Sequence, residues 1–83
     1  MDPKVSKVKP LSDYQLELQF NTNEVRIFDV KPYLNKGIFY ELKEPEIFYQ
    51  VRESLGSILW PNGQDFSPDT LYEESILSKN QPD

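Results

Sequence analysis

The sequence predicts a single small α+β domain built on a mostly antiparallel sheet. Three observations carry that prediction. Tyr14, Leu16, Leu18 and Phe20 alternate with Gln15, Glu17 and Gln19, the period-two signature of a half-buried strand. Turn residues set off further short apolar runs, as in successive hairpins. The main helix signals fall in two places, a crossover near Leu34 to Leu42 and a start at Ser67-Pro68. The predicted order is β-β-β-α-β-β-α, about five strands with the helices on one face, a core over residues 5–76 and a frayed tail over 77–83.

In MDPKVSKVKP, Val5 and Val8 mark a short edge strand, and Pro10 stops its ladder because proline has no N–H to donate. Ser12-Asp13 turns the chain into the alternating strand. Asn21-Thr22-Asn23 then forms a hairpin loop, with Asn23 in the left-handed position that asparagine tolerates. The return strand puts Val25 and Ile27 on one face and Phe28 and Val30 on the other. Such two-sided apolar character indicates either a central strand or a bulge near Ile27. Lys31-Pro32 ends it.

In the segment PYLNKGIFYELKEP, Leu34, Ile38 and Leu42 are four apart and predict one stripe on a short helix, interrupted by Gly37 and closed by Pro45. Glu46 to Tyr49 adds one helical turn. Gln50–Glu53 and Ser57–Trp60 form a second hairpin around Ser54-Leu55-Gly56. Trp60-Pro61-Asn62-Gly63 is a turn, with proline second and glycine fourth. Ser67 is a helix N-cap and Pro68 suits the first helical position, where its missing N–H has no partner to lose. Asp69 meets the positive end of the helix dipole, and Phe66 and Leu71 have the spacing of a hydrophobic staple. The helix is predicted to run through TLYEESIL, packing Leu71, Tyr72 and Ile76.

Composition narrows the function. Histidine and cysteine are both absent, which removes the commonest general base, imidazole and thiolate metal ligands, and disulfides. No glycine-rich phosphate loop is present, and no motif supports a serine–lysine pair. An enzyme is therefore disfavoured and no cofactor is expected. The net charge of -5 is uneven: residues 1–43 sum to +1 and residues 44–83 to -6. The acidic half repels nucleic-acid phosphates and favours basic partners. Lys4, Lys7 and Lys9 read first as an edge strand defended by lysines, and second as a phosphate-binding strip together with Arg26. No stretch has the length of a membrane span and no apolar signal segment follows Met1, so a cytoplasmic protein is expected.

Four blocks, VKPLSDYQLELQF, VRIFDVKPYL, GIFYELKEP and WPNGQDFSPDTLY, resemble the small bacterial domain-of-unknown-function 2442 family. The most specific residues are Phe28-Asp29, Pro32-Tyr33-Leu34, Leu42-Lys43, Trp60-Pro61-Asn62-Gly63, Asp65, Pro68-Asp69 and Leu71-Tyr72. The family's first hairpin usually reads Asn-Gly-Glu, where this chain has Thr22-Asn23-Glu24. The resemblance implies a β-rich sheet with short helices and no established catalytic activity. It also implies a regulatory or partner-binding role: members often lie beside the gene of another small protein, as in a toxin–antitoxin pair, and some carry a following helix-turn-helix. The present sequence ends soon after Tyr72, so no such DNA-binding domain is expected in it.

The candidate partner-binding residues are Trp60, Tyr33, Tyr72, Asp65 and Asp69. Most of the aromatics are expected in the core, and any left exposed would anchor an interface. Trp60 is expected to be buried, with its indole N–H on a backbone carbonyl. Asp29, Asp65 and Asp69 are the candidates for a shared carboxylate site. Their structural roles would be a strand end, an ordered loop and a helix N-terminus. The expected partner is a small protein or a second copy, with nucleic acid as the alternative for a regulator lacking its own helix-turn-helix.

Overall fold

The computed structural model describes residues 2–82. Among them, seven short strands form two antiparallel sheets rather than one sheet of five. The first has the order β1-β2-β3-β7, with β1 at Val5–Leu11, β2 at Gln15–Phe20, β3 at Val25–Asp29 and β7 at Ile76–Leu77. The second has the order β4-β5-β6, at Arg52–Ser54, Ser57–Leu59 and Asp65–Phe66. Two 3-10 segments (Lys31–Tyr33 and Gly37–Lys43), helix α1 (Pro45–Phe48) and helix α2 (Pro68–Glu74) complete the domain. One hydrophobic cluster, from Val5 to Leu71, is shared by both sheets.

The alternating strand is as the sequence predicts from Gln15 onward, with Leu16, Leu18 and Phe20 buried and their polar neighbours not, but Tyr14 falls outside it, in the preceding turn at φ +59°. The strand β3 is central, and its register with β2 is unbroken past Ile27. The bulge lies instead in β1, between Val5 and Lys7. Pro10 does not end β1. It pairs with Leu16, which an edge strand permits because its outward side needs no donor. Where β1 begins, the Val5 N–H donates to Gly56 O at 2.8 Å, tying the two sheets together.

The crossover departs from the predicted α-helical stripe. In a 3-10 helix residues three apart share a side, so Phe39 and Leu42 are buried while Ile38 is 68% exposed. Pro45 opens α1 rather than closing the segment. The strand β6 follows directly on the Trp60–Gly63 turn, which is itself a hairpin, with Gly63 N–H on Trp60 O and Trp60 N–H on Gln64 O, both at 2.9 Å. It is closed by Gly63 at φ +89°.

The Ser67 cap forms as expected, its Oγ accepting from Thr70 N–H at 3.2 Å. The helix then stops at Glu74, two residues before Ile76, which is 69% exposed on β7 and packs no core. Arg26 explains the stop. Its guanidinium donates to Ser75 Oγ at 2.8 Å and to Ser75 O at 2.9 Å, while Ser75 Oγ donates back to Tyr72 O. This clamp holds Ser75 extended at ψ 162° and delivers the chain to β3. The expected frayed tail is also pinned. The Gln81 amide accepts from Val25 N–H and donates to Val25 O, imitating the next peptide of a ladder. Asp83, the last residue of that expected tail, and Met1 lie outside the described residues.

The β4–β5 hairpin turns through Leu55 at φ +52° and Gly56 at φ +82°, the two left-handed residues of a type I′ turn. A leucine here carries a left-handed cost that asparagine largely avoids, and it is 96% exposed. Leu55→Asn is expected to stabilise the fold by ~0.5–1 kcal/mol, read as a higher urea midpoint. A lower midpoint would mean that Leu55 makes an intramolecular contact worth more than the strain.

Candidate functional site

The predicted site residues divide into core and surface. Trp60 is core: it is 1% exposed, and its indole N–H donates to Phe48 O at 3.0 Å. It therefore supports an interface only from behind. Tyr33 is half-buried among Phe28, Phe39 and Phe66, with ring centroids 6.1, 5.5 and 4.9 Å away. Its hydroxyl donates to Glu74, and the Lys36 ammonium sits 5.1 Å above its ring. Tyr72 is half-buried against Phe20, donates to Glu24 at 2.6 Å, and stacks under the Arg26 guanidinium at 4.5 Å.

Asp65 and Asp69 are both exposed, one on β6 and one in the first turn of α2. Asp29 ends β3, where it accepts from Lys31 N–H at 3.0 Å and pairs with the Lys31 ammonium at 3.1 Å. Among the described residues no three acidic side chains are grouped to hold a metal. An open groove of about 490 Å³, lined by Leu55, Ser57, Ile58, Asp65, Phe66 and Pro68 among others, has Asp65 as its one titratable side chain.

The basic strip is also divided. Lys7 and Lys9 lie on the outer face of β1, opposite Gln19 and Glu17. Arg26 lies on the other face, opposite Leu18, and is engaged in the Ser75–Tyr72–Glu24 clamp. It is not part of a surface strip.

Several exposed groups carry no signal in the sequence that singles them out. Ile38, Tyr40 and Tyr49 on the crossover, Leu55 on its turn, and Ile76 and Leu77 on β7 are all at least half exposed. The Lys43 ammonium lies 4.7 Å above the Tyr40 ring, so the crossover presents aromatic rings capped by lysines. Among the described residues β7 is an edge strand, paired only with β3. Two consecutive aliphatics after an acidic helix end are the available signal, but they fit the last turn of a helix equally well.

The family model described as "Protein of unknown function (DUF2442)" matches residues 5–76. The chain belongs to this family. The DUF2442 domain is also similar to the crystal structure of "Putative DNA Binding Protein NE0471" from Nitrosomonas europaea, with 32% identity and a TM-score of 0.76. The match covers 88% of this chain and 48% of that one, so this chain spans about half its length. No curated protein matches it.

Within the DUF2442 domain two phenols are tied to carboxylates across the fold. The hydrogen bond to Glu74, then burial, then the Glu74 charge push the Tyr33 phenol up to about 12. Tyr72 is raised in the same direction, chiefly by its bond to Glu24, and Glu24 is lowered, chiefly by Tyr72. A raised phenol favours the fold in its protonated form. That contribution is complete below about pH 10, the ordinary tyrosine value, and is lost as pH rises through about 12. The wild-type urea midpoint is therefore expected to fall across this window, and Tyr33→Phe to fall less steeply. Parallel profiles for the two proteins would contradict the Tyr33–Glu74 bond.

At the acidic end the sign is reversed. The Glu24 contribution is present above its ordinary value and fades as pH drops through the lowered one. Among the described residues every buried side-chain nitrogen and oxygen has a hydrogen-bond partner, so these contacts are the polar frame of the fold rather than idle groups.

Proposed function

We propose that this DUF2442 domain is a protein-binding regulatory module rather than a catalyst, and that it acts as the antitoxin-like partner of a small neighbouring protein. The observation that carries this reading is the exposure of Ile76 and Leu77, at 69% and 54%, on an unpaired sheet edge. Exposed aliphatics beside free backbone groups are what strand addition by a partner uses. The acidic C-terminal half favours a basic partner. Co-expression with the product of the adjacent gene tests the reading. Co-elution in size-exclusion chromatography at micromolar concentration is the expected result, and separate elution counts against it.

A second reading is favoured by the name of the Nitrosomonas europaea protein and by the crossover, where Lys36 and Lys43 cap Tyr33 and Tyr40. A lysine beside an exposed ring, as Lys43 is beside Tyr40, suits the backbone and bases of a single strand. Against it stand the net charge of -5 and the match to only half of that protein, whose other half is an equal candidate for contacting DNA. A gel-shift series against salt separates the two, because counterion release makes phosphate contacts strongest at low salt. Binding at low salt that Lys36→Ala and Lys43→Ala weaken would favour this second reading.

A further inference from the structure

The two edges of the four-stranded sheet are built differently. The strand β1 carries Lys7, Lys9 and Pro10 and a bulge after Val5, all devices that discourage another strand from pairing. Its Val5 end is also covered by Gly56 of the β4–β5 turn. The strand β7 carries none of these: its two residues are Ile76 and Leu77, both exposed.

Backbone polarity on β7 follows from its register. Ser78 N–H donates to Val25 O at 2.9 Å, Leu77 lies opposite Arg26, and Ile76 lies opposite Ile27. In an antiparallel ladder successive residues turn their N–H and C=O to opposite sides. Ser78 and Ile76 therefore face β3, and Leu77 turns its N–H and C=O to the open side. Beyond Ser78 the ladder is closed by the Gln81 side chain, which limits the open stretch to the segment around Leu77.

We infer that the β7 edge receives an extended segment of another protein, one with alternating aliphatic and basic side chains. This deepens the protein-binding reading above and rests on it. The aliphatic positions of such a segment continue the row Ile27–Ile76 on the outer face. The basic positions answer charge: Glu73 and Glu74 close α2 immediately before β7, and residues 44–83 carry a net -6. The same charge disfavours a second copy as occupant, because edge-to-edge pairing of two β7 strands brings two such acidic helix ends together.

The test uses the full chain and a labelled decapeptide of alternating lysine and valine, read by fluorescence anisotropy at low salt. Saturable binding is expected, at least about tenfold weaker for the glutamate–valine counterpart. Leu77→Pro removes the outward N–H, together with the exposed isobutyl group, and takes no bond from the β3 ladder, so it is expected to weaken binding by about tenfold or more while the melting curve stays in place. Leu77→Lys, which defends the edge by charge, is the second variant and is expected to act the same way.

No saturation by ~1 mM peptide, equal binding of the two peptides, or full binding by folded Leu77→Pro and Leu77→Lys would each overturn the inference. So would a dimer, seen by light scattering without peptide, that Leu77→Pro dissociates, since the occupant would then be a second copy. If the adjacent-gene product co-elutes with wild type and with Leu77→Pro alike, the edge inference fails and the protein-binding reading stands. If it co-elutes with neither, that reading fails and takes the inference with it.

Discussion

Trp60→Ala is expected to cost ~3–5 kcal/mol, a large share of what a small domain has to lose. The indole is 1% exposed, packs tilted against Phe48 at 6.1 Å and edge-on to Phe66 at 5.9 Å, and donates to the Phe48 carbonyl. Alanine removes the packing and leaves that carbonyl only the long bond from Val51 N–H at 3.4 Å, and the rigid turn at Pro61 limits how far the chain can collapse into the gap. For a chain of this size the melting temperature should fall by ~15 °C or more. Trp60→Phe keeps most of the volume and loses the N–H, so a smaller loss of ~1–3 kcal/mol is expected. A melting temperature for Trp60→Ala within ~5 °C of wild type would show that the corner does not hold the two sheets together.

Phe66→Ala is expected to be comparably damaging, at ~3–5 kcal/mol. Phe66 sits on the two-residue strand β6, yet four aromatic rings surround it: Phe39 at 4.8 Å, Tyr33 at 4.9 Å, Phe28 at 5.0 Å and Trp60 at 5.9 Å. These neighbours come from β3, both 3-10 segments and the Trp60 corner, so Phe66 is where the crossover meets both sheets. Aromatic pairs contribute ~0.5–1.5 kcal/mol beyond burial, and Phe66→Leu should isolate that part by keeping most of the volume. A urea titration of the three proteins checks the order. If Phe66→Leu proved as damaging as Phe66→Ala, ring geometry would matter more than volume. Because Trp60 and Phe66 touch, the double variant should fall short of the sum of its parts.

Much of this core is legible in the sequence. Period-two alternation locates β2, the Asn23 turn locates the first hairpin, and Ser67-Pro68 locates the start of α2 to the residue. These signals are local, so local chemistry suffices to read them. What the sequence conceals depends on distant partners. The end of α2 is set by Arg26, which lies forty-nine residues from Ser75 and reads in the sequence as a surface charge. The crossover reads as an α-helix because Leu34, Ile38 and Leu42 are four apart, but it takes the tighter 3-10 geometry, in which Phe39 and Leu42 are the buried pair. Strands of two residues, β6 and β7, are too short for any periodicity to reveal.

The candidate site follows the same division. Burial of Trp60, with its N–H on a backbone carbonyl, is readable from a lone tryptophan before a rigid turn, but that the carbonyl is that of Phe48 is not. The edge at Ile76 and Leu77 is not, since it exists only where the chain returns to pair with β3.

The most direct measurement is amide hydrogen exchange at Leu77, in the free protein and in the complex with the adjacent-gene product. Fast exchange in the free protein that slows at least about tenfold in the complex is the predicted result. A complex that protects amides elsewhere while Leu77 exchanges at its free rate would contradict the assignment of this edge as the binding surface.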